Sequence, residues 1–374
     1  MNSVTEAVDF DSSQRRDFQR ALKSRVRAYL ATQPAGRKAT GFMWFKVVFY
    51  LCAWWGTWAQ VALVQHSLPV DLALIVALST LTMATAYNVS HDAVHGTISE
   101  RPWVNELLFQ LTFNIFGPNA YLWRLRHAVM HHMCVNIPGL DFNIEASDIL
   151  RFSPTQKWRP MHRYQHLYAP FAYLVFTMHW IWVKDFQMLR LSRIGNVAQI
   201  EHTPRRVLEI VFWKLVHVVL MFVLPVMVGG YSIGTVLAGY VIWQALGSFQ
   251  FVLTFTGSHL NRGLVFVERD DAGRVPHSFY EHQLHTSMDF HPESGVLTFL
   301  IGGFNAHIAH HMFPHICSVH YPKLTPIIRR TALEFGLPYR QTTLARLFVD
   351  HFRYLAELGI DPDSPRAAYL HKAV

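Results

Sequence analysis

Eight histidines fall into three short clusters whose spacing favours joint binding of a metal. The clusters read HDAVH at 91–95, HAVMHH at 127–132 and HIAHH at 307–311. On a helix, residues three and four positions apart share a face, so the imidazoles of one cluster can point to one site. A single pair of this kind is usually an ordinary packing pair, whereas three clusters in one chain indicate a metal centre. The candidate ligands are His91, His95, His127, His131, His132, His307, His310 and His311.

The number and type of these ligands narrow the choice of metal. Eight imidazoles exceed the four ligands of a tetrahedral zinc site and suit two metal ions in octahedral or five-coordinate sites. Imidazole binds iron, copper, nickel and zinc. Because neutral nitrogens hold ferrous iron without cancelling its charge and leave positions open for dioxygen, we expect a di-iron centre; the residues alone leave copper open. The three cysteines, at 52, 134 and 317, form no CxxC pair, which argues against a cysteine-ligated cluster.

The composition indicates that this centre belongs to a membrane protein. The chain has 374 residues, of which 51% are hydrophobic and 16% are charged, whereas average soluble proteins carry about a quarter charged residues. These values exclude a disordered chain and an ordinary soluble domain and fit a membrane protein with a large water-facing part. Four apolar segments approach or exceed the length of about 20 residues that crosses a bilayer. They are residues 42–64, 70–89, 208–228 and 233–255.

The distribution of basic residues predicts the orientation of these spans. The net charge is +8 with histidine neutral. Lysine and arginine are absent from the short connections 65–69 and 229–232 and frequent before the first span, between 91 and 206, and after 262. This is the positive-inside pattern of two hairpins, with both termini in the cytoplasm. The positive charge therefore follows the topology and does not indicate a nucleic-acid partner.

These features predict an all-α membrane protein that forms a single domain over residues 1–374. A cytosolic helical cap, residues 90–207 and 256–374, carries the histidine-rich centre. Two further apolar stretches, 107–123 and 168–183, are interpreted as interfacial or re-entrant helices.

The three clusters resemble the histidine boxes of the membrane fatty acid desaturases, part of a wider superfamily of desaturases and hydroxylases. WRLRHAVMHHMCVNIPGLDFNIE is similar to the second-box region of that family. HQLHTSMDF and the following IGGFNAHIAHHMFPHICSVHYPKLTPIIRRTALEFGLPY are similar to the C-terminal region of its front-end and acyl-lipid members. The resemblance covers most of the chain from the second predicted span onward and implies the same four-span topology.

The chain also departs from the front-end pattern. Those members often have Gln where this chain has His307. They often carry a fused cytochrome b5 domain with an HPGG motif, and HPES at 291–294 is not that motif. We therefore expect electrons to come from a separate protein, of the ferredoxin, rubredoxin or cytochrome b5 type, with its reductase.

The resemblance implies a ninth ligand between the fourth span and the third cluster. His259, in GSHL, is the best match, and a capping or interfacial role is its alternative. His282 and His285, in EHQLH, are weaker candidates.

Other polar residues are placed to support the ligands. Metal-bound imidazoles usually donate their other N–H to a carboxylate or carbonyl group. Three carboxylates are candidates for this role, with helix capping or turn formation as the alternative: Asp92, Asp141 and Asp289. Asn136 and Asn305 are candidates for orienting ligands or a bound water.

The resemblance implies an enzyme that introduces a double bond into a fatty acyl chain, with two iron ions and dioxygen as co-substrate. Dioxygen accepts four electrons, two from the substrate and two from the external donor. The substrate would be a fatty acid or an acyl chain carried by a lipid, coenzyme A or acyl carrier protein. A hydroxylase, a decarboxylase that forms a terminal alkene, and an acetylenase are alternatives on the same site. A non-enzymatic membrane protein that handles metal is the alternative of a different class.

Overall fold

A computed structural model describes residues 4–11, 13, 15–145 and 148–364. Its described part is mainly helical, in agreement with the predicted class. The helices of seven residues or more, together with the short helix of the third cluster, are α1 (Arg16–Ala31), α2 (Gly41–Leu63), α3 (Leu68–Val94), α4 (Pro102–Ile115), α5 (120–134), α6 (165–188), α7 (Pro204–Met227), α8 (Ile233–Gly257), α9 (Phe279–Thr286), α10 (Gly295–Ile301), α11 (His307–Met312), α12 (Tyr321–Glu334) and α13 (Leu344–Leu358). Single turns lie at Phe142–Glu145, Pro160–Tyr164, Phe304–Ala306 and Ser318–His320.

Two small sheets connect distant parts of the chain. β1 (Val4–Thr5) pairs antiparallel with β2 (Val197–Ala198). β3 (Asp289–Phe290) pairs in parallel with β4 (Gln341–Thr342), so the segment before the third cluster is held by the segment before α13.

Four of the described helices contain a π-helical segment, a wider turn that is often found at functional sites. These segments are Ala86–Ser90 in α3, Leu125–His131 in α5, Trp180–Lys184 in α6 and Val219–Val223 in α7. The first ends directly before His91, and the second contains His127 and His131. The second cluster is thus helical, as predicted, but its turn is wider than the α-helical turn on which the spacing argument was based.

Three described helices are long and apolar enough to cross a membrane: α3, α7 and α8. They coincide with the predicted spans 70–89, 208–228 and 233–255. α3 has 27 residues and continues past the predicted end of its span, so that it carries the first cluster on its last turns. The remaining predicted span, 42–64, coincides with the 23-residue helix α2, which carries Lys46 and is not among these three.

A shared hydrogen-bonding group connects α2, α3 and α8. The hydroxyl of Thr82 accepts hydrogen bonds from Trp54 Nε1 at 2.8 Å and from Trp243 Nε1 at 3.0 Å. Because all three side chains are buried, each polar group has its partner inside the protein, which apolar surroundings require. The three helices therefore form one bundle.

The stretch 168–183 lies in α6, which has a protein-facing side and an exposed apolar side. On the inner side, Ser248 of α8 accepts a hydrogen bond from the Thr177 amide at 3.0 Å, and the Tyr173 hydroxyl lies 2.7 Å from His351 Nε2 of α13. The outer side exposes an apolar stripe at helical spacing, formed by Leu167, Phe171 and Val175.

The stretch 107–123 is interrupted at Gly117-Pro118, where α4 ends and α5 begins. Asn119 caps α5 by accepting a hydrogen bond from the Leu122 amide at 3.1 Å. A buried ion pair fixes this turn: Lys214 Nζ of α7 lies 2.7 Å from Asp185 Oδ2 and donates to the Gly117 carbonyl oxygen at 2.7 Å. The start of α5, and hence the second cluster, is anchored to α6 and α7.

Candidate metal centre

The structure brings the nine histidines singled out from the sequence to one interior region. They come from the end of α3, from α5, from the turn after α8 and from α11. Eight are buried and His95 is partly buried. The residues are His91, His95, His127, His131, His132, His259, His307, His310 and His311.

Their nitrogen atoms form two main groups and one that connects them. In the first group, His91, His95, His127 and His310 each offer a nitrogen within 4.8 Å of the others. The second group consists of His131, His259 and His311, under the same distance limit. The third joins His132 to His310 and His311, one from each main group, so His132 lies between them.

Several nitrogen pairs have the separation of neighbouring ligands on one ion. The Nε2 atoms of His91 and His127 lie 3.0 Å apart, and those of His259 and His311 are also 3.0 Å apart. Two nitrogens at right angles around a metal, each bound at about 2.1 Å, are roughly 3 Å apart. His307 joins the second group, because its Nε2 lies 2.7 Å from Nε2 of His259.

The tautomer of His259 supports the interpretation that these histidines bind a metal ion. Its Nδ1 donates to the carbonyl oxygen of Thr286 at 3.0 Å, which leaves a lone pair on Nε2. Both His307 and His311 face this one nitrogen. A single lone pair cannot accept a good hydrogen bond from each, whereas a cation between the three rings uses all of their lone pairs.

Several buried ring nitrogens have no hydrogen-bond partner among the described residues. They include Nε2 of His95, His131 and His310, and both ring nitrogens of His132. Buried polar atoms are normally paired, because an unpaired one costs free energy. Nitrogens that converge without partners fit coordination to metal ions.

Burial keeps these imidazoles neutral. It lowers the pKa of His259 to about 4 and that of His95 to about 3. The pKa of His132 is also lowered, first by burial and then by neighbouring histidines. At neutral pH the ring nitrogens therefore carry the lone pairs that metal binding requires.

Two glycines allow the segment before the third cluster to pack against the first. Gly302 and Gly303 have positive φ angles of 59° and 81°. A Cβ atom on Gly302 would lie 2.3 Å from the Tyr87 carbonyl oxygen, within the π-helical segment of α3. This close approach, possible only without a side chain, places α11 beside the end of α3.

The carboxylates predicted to support the ligands connect backbone segments. Asp289 Oδ1 accepts a hydrogen bond from the Ile308 amide at 2.8 Å, and its other oxygen accepts one from the Tyr339 hydroxyl. Asp289 therefore caps α11 at its first turn; burial raises the pKa of this carboxyl to about 7. Asp92 accepts hydrogen bonds from Ser318 through its amide at 3.2 Å and its hydroxyl at 2.5 Å. It thereby ties the first cluster to the turn after the third.

The remaining predicted supporting residues are placed as follows. Asn136 donates to the His259 carbonyl oxygen at 3.0 Å and so positions the ninth histidine through its backbone. Asp141 Oδ2 accepts a hydrogen bond from the Asn136 amide at 3.1 Å. Asn305 donates to the His291 carbonyl oxygen at 3.0 Å and accepts from Thr298 at 3.3 Å.

Four polar groups within hydrogen-bond distance of ligand rings were not identified from the sequence. Asn143 Nδ2 lies 3.1 Å from His131 Nδ1, and the Tyr321 hydroxyl lies 3.3 Å from His310 Nδ1. The other two face His259 Nδ1: the Thr286 carbonyl oxygen already described and the Ser287 hydroxyl, 3.4 Å away. Asn143 follows the second cluster within the resemblance region, but its direction is visible only in the folded chain.

The other candidates for the ninth ligand lie apart from the two main groups. His282 Nε2 lies 2.8 Å from the Val135 carbonyl oxygen. His285 stacks on His277 with ring centroids 4.7 Å apart, and these two form a separate group with Glu281. Of the three candidates, His259 is the one whose Nε2 faces other clustered histidines.

A cavity of about 680 Å³ leads to these histidines. His127, His131 and His259 line one part of it. Most of the remaining wall is apolar and includes Phe255 and Phe176. Trp123, which stacks on His127 with ring centroids 4.3 Å apart, also lines it. The cavity has the lining expected for an alkyl chain.

Comparison with known proteins agrees with this site. The fatty acid desaturase family matches residues 66–343. The chain is 30% identical over 367 residues to the sn-1 linoleoyl-lipid 6-desaturase of Arthrospira platensis, covering 97% of this chain and 98% of that protein. It is 28% identical over 358 residues to the sn-1 linoleoyl-lipid 6-desaturase of Synechocystis sp., with 95% and 99% covered. It is 27% identical over 356 residues to the acyl-lipid (8-3)-desaturase of Physcomitrium patens, with 94% and 74% covered.

The chain therefore belongs to the fatty acid desaturase family. It is a membrane desaturase of the acyl-lipid, front-end type, an oxidoreductase that introduces double bonds into fatty acyl chains. The family predicted from the three histidine clusters is confirmed.

Proposed function

We propose that this desaturase is an oxygen-dependent di-iron enzyme whose substrate is an acyl chain carried by a membrane lipid. The observation that carries the proposal is the convergence of nine imidazoles, several with unpartnered nitrogens, beside an apolar cavity. The names of the Arthrospira and Synechocystis relatives support a lipid as the acyl carrier over coenzyme A or acyl carrier protein.

The ligands divide between two iron ions. One would be held by His91, His95, His127 and His310, and the other by His131, His259, His307 and His311, with His132 between them. A donor set of neutral imidazoles without thiolate or carboxylate leaves the charge of each ferrous ion uncompensated and suits iron that reacts with dioxygen.

When bound, the two irons supply the reduction of dioxygen that removes hydrogen from an unactivated C–H bond. The chain contributes position and exclusion of water. Phe255 lies within ring-contact distance of both His127 and His131, with centroids 5.6 and 5.4 Å away, so it packs an apolar surface against the metal-facing part of the cavity. Tyr321 and Thr286 hold ligand rings in one orientation through Nδ1.

The protein is proposed to cross the membrane four times, with α2 as the additional span and both termini in the cytoplasm. α2 exposes large apolar side chains along one side, among them Phe42, Phe45 and Val48. Its Lys46 is buried and donates to the Thr298 carbonyl oxygen at 3.1 Å, so this charge does not face lipid. The basic cytoplasmic side would meet the electron donor, a ferredoxin, rubredoxin or cytochrome b5-type protein with its reductase.

Expression in a host of known lipid composition tests the function. The host should lack desaturases that act on the same chains and should be supplied with a reductase and ferredoxin. Mass spectrometry of extracted lipids is expected to show new double bonds that disappear without oxygen and in the His132→Ala variant. Hydroxylated or shortened chains without new double bonds would show that the enzyme catalyses one of the related reactions instead of desaturation.

A further inference from the structure

Two buried basic side chains face the cavity that leads to the histidines. Arg126 is 5% exposed and Lys184 is 9% exposed. Both line the same cavity as His127 and His131. Arg126 immediately precedes His127 on α5, whereas Lys184 comes from the π-helical segment of α6.

Neither cation is paired within the described part of the chain. Arg126 Nη1 is buried and has no hydrogen-bond partner. The guanidinium instead lies over the Trp180 ring, with Cζ 4.2 Å from its centroid, and Lys184 Nζ lies 5.1 Å from the centroid of Phe142. Such cation–π contacts stabilise a charge but leave its N–H donors unused.

The neighbouring carboxylates are engaged elsewhere. Asp185 Oδ2 accepts hydrogen bonds from Lys214 at 2.7 Å and from the Asn119 amide at 2.8 Å, and its Oδ1 accepts one from Trp180 Nε1 at 3.0 Å. Asp141, which also lines the cavity, accepts hydrogen bonds from the amides of Asn136 and Asn143. Asp148, on the same wall, pairs with Arg159 at 2.6 Å.

Burial without a partner lowers the pKa of Lys184 well below its usual value and disfavours its charged form, a cost that a ligand with anionic oxygens would offset. We propose that Arg126 and Lys184 bind the anionic head end of the acyl substrate, a carboxylate or phosphate, and thereby set which carbons of the chain lie beside the histidines. The proposal rests on the proposed function, because it assumes that the cavity holds an acyl substrate. The apolar wall takes the alkyl chain, and the two cations are its polar counterpart.

Ligand pairs that differ mainly in charge test the proposal. The full-length protein in neutral detergent would be offered oleate against methyl oleate, and dioleoylphosphatidylglycerol against dioleoylglycerol, with native mass spectrometry as the readout. Hydrogen bonds to charged groups contribute enough that the wild type should prefer the charged member of at least one pair by about tenfold or more. The pair that shows the preference distinguishes a carboxylate from a phosphate.

Four variants locate this preference. Arg126→Gln and Lys184→Gln are each expected to reduce it about tenfold, and Arg126→Lys should restore part of it. Arg163→Gln removes an exposed arginine outside the cavity and should leave the preference unchanged. If Arg126→Gln fails to fold, Lys184→Gln and the comparison of ligand pairs with the wild type still test the head-end site.

The outcomes separate this inference from the desaturase function. Equal binding of charged and uncharged ligands by the wild type, or a preference that Lys184→Gln and Arg126→Gln retain, would overturn the head-end site even if the lipids gain double bonds. If the preference for charged ligands depends on these two residues but the protein forms no double bonds, the head-end site is supported and the desaturase function is rejected.

Discussion

The Nε2 atoms of His259 and His311 lie 3.0 Å apart, although the two residues are 52 positions apart in the chain. The Thr286 carbonyl oxygen holds the proton of His259 on Nδ1, so its Nε2 faces His311 with a lone pair. This arrangement distinguishes His259 from every other histidine between the fourth predicted span and the third cluster, and it makes His259 the proposed ninth ligand.

Substitution of His259 should therefore affect the metal, and substitution of His282 should not. His259→Ala removes a ligand of the second group, and we expect iron to fall from about two to about one per chain in such a two-metal site. His282→Ala is the matched control, because His282 is equally buried but bonds to the Val135 carbonyl oxygen. Elemental analysis of the purified variants decides. Equal iron in the two variants would remove His259 from the ligand set.

Removing one partner of the buried Lys214–Asp185 pair should destabilise the protein more than removing both. Asp185→Ala leaves the Lys214 ammonium buried without its carboxylate and should lower the free energy of unfolding by about 3–5 kcal/mol. Adding Lys214→Met to Asp185→Ala removes the unpaired charge, so the double variant should be more stable than the single one. Denaturant unfolding in detergent measures both. A double variant as unstable as the sum of the single variants would show that the charge pairing is unimportant.

The cavity should hold the alkyl chain. Ala172 lines it, and Ala172→Trp would fill part of that space. We expect at least a tenfold loss of desaturation of long acyl chains, since excluding the chain costs more than about 1.4 kcal/mol of binding, with iron content unchanged. Phe171→Trp is the control, because the neighbouring side chain is 69% exposed on the outer side of α6. Full activity in Ala172→Trp would place the substrate elsewhere.

The proposed four-span topology can be read from the labelling of single cysteines. In a background with the exposed Cys52 replaced by Ser, an impermeant maleimide should label Ser67→Cys and Ser232→Cys in intact cells. Both positions lie in the short connections that lack basic residues. Arg163→Cys should react only after the cells are opened. Protection of Ser67→Cys, or labelling of Arg163→Cys in intact cells, would contradict the topology.

Local spacing was sufficient to find the histidines and to place three apolar helices of spanning length, because both are short-range patterns. The four-span count and the orientation remain predictions. The ring contacts of Asn143 and Tyr321 with His131 and His310 depend on how α5, α11 and their neighbours pack, which one sequence does not reveal. The π-helical segment of α5 also has no simple spacing signature. The sequence also did not reveal that Arg126 is unpaired, since an arginine beside a predicted interfacial helix is ordinarily attributed to the membrane topology.

The nine histidines are proposed to hold two irons that react with dioxygen. Metal analysis of the purified protein, combined with oxygen consumption in the presence of donor and lipid, tests it most directly. We predict about two irons per chain and oxygen uptake that is lost with the iron in His132→Ala, whose ring lies between the two groups. Tightly bound zinc or copper, with no oxygen uptake, would contradict the account.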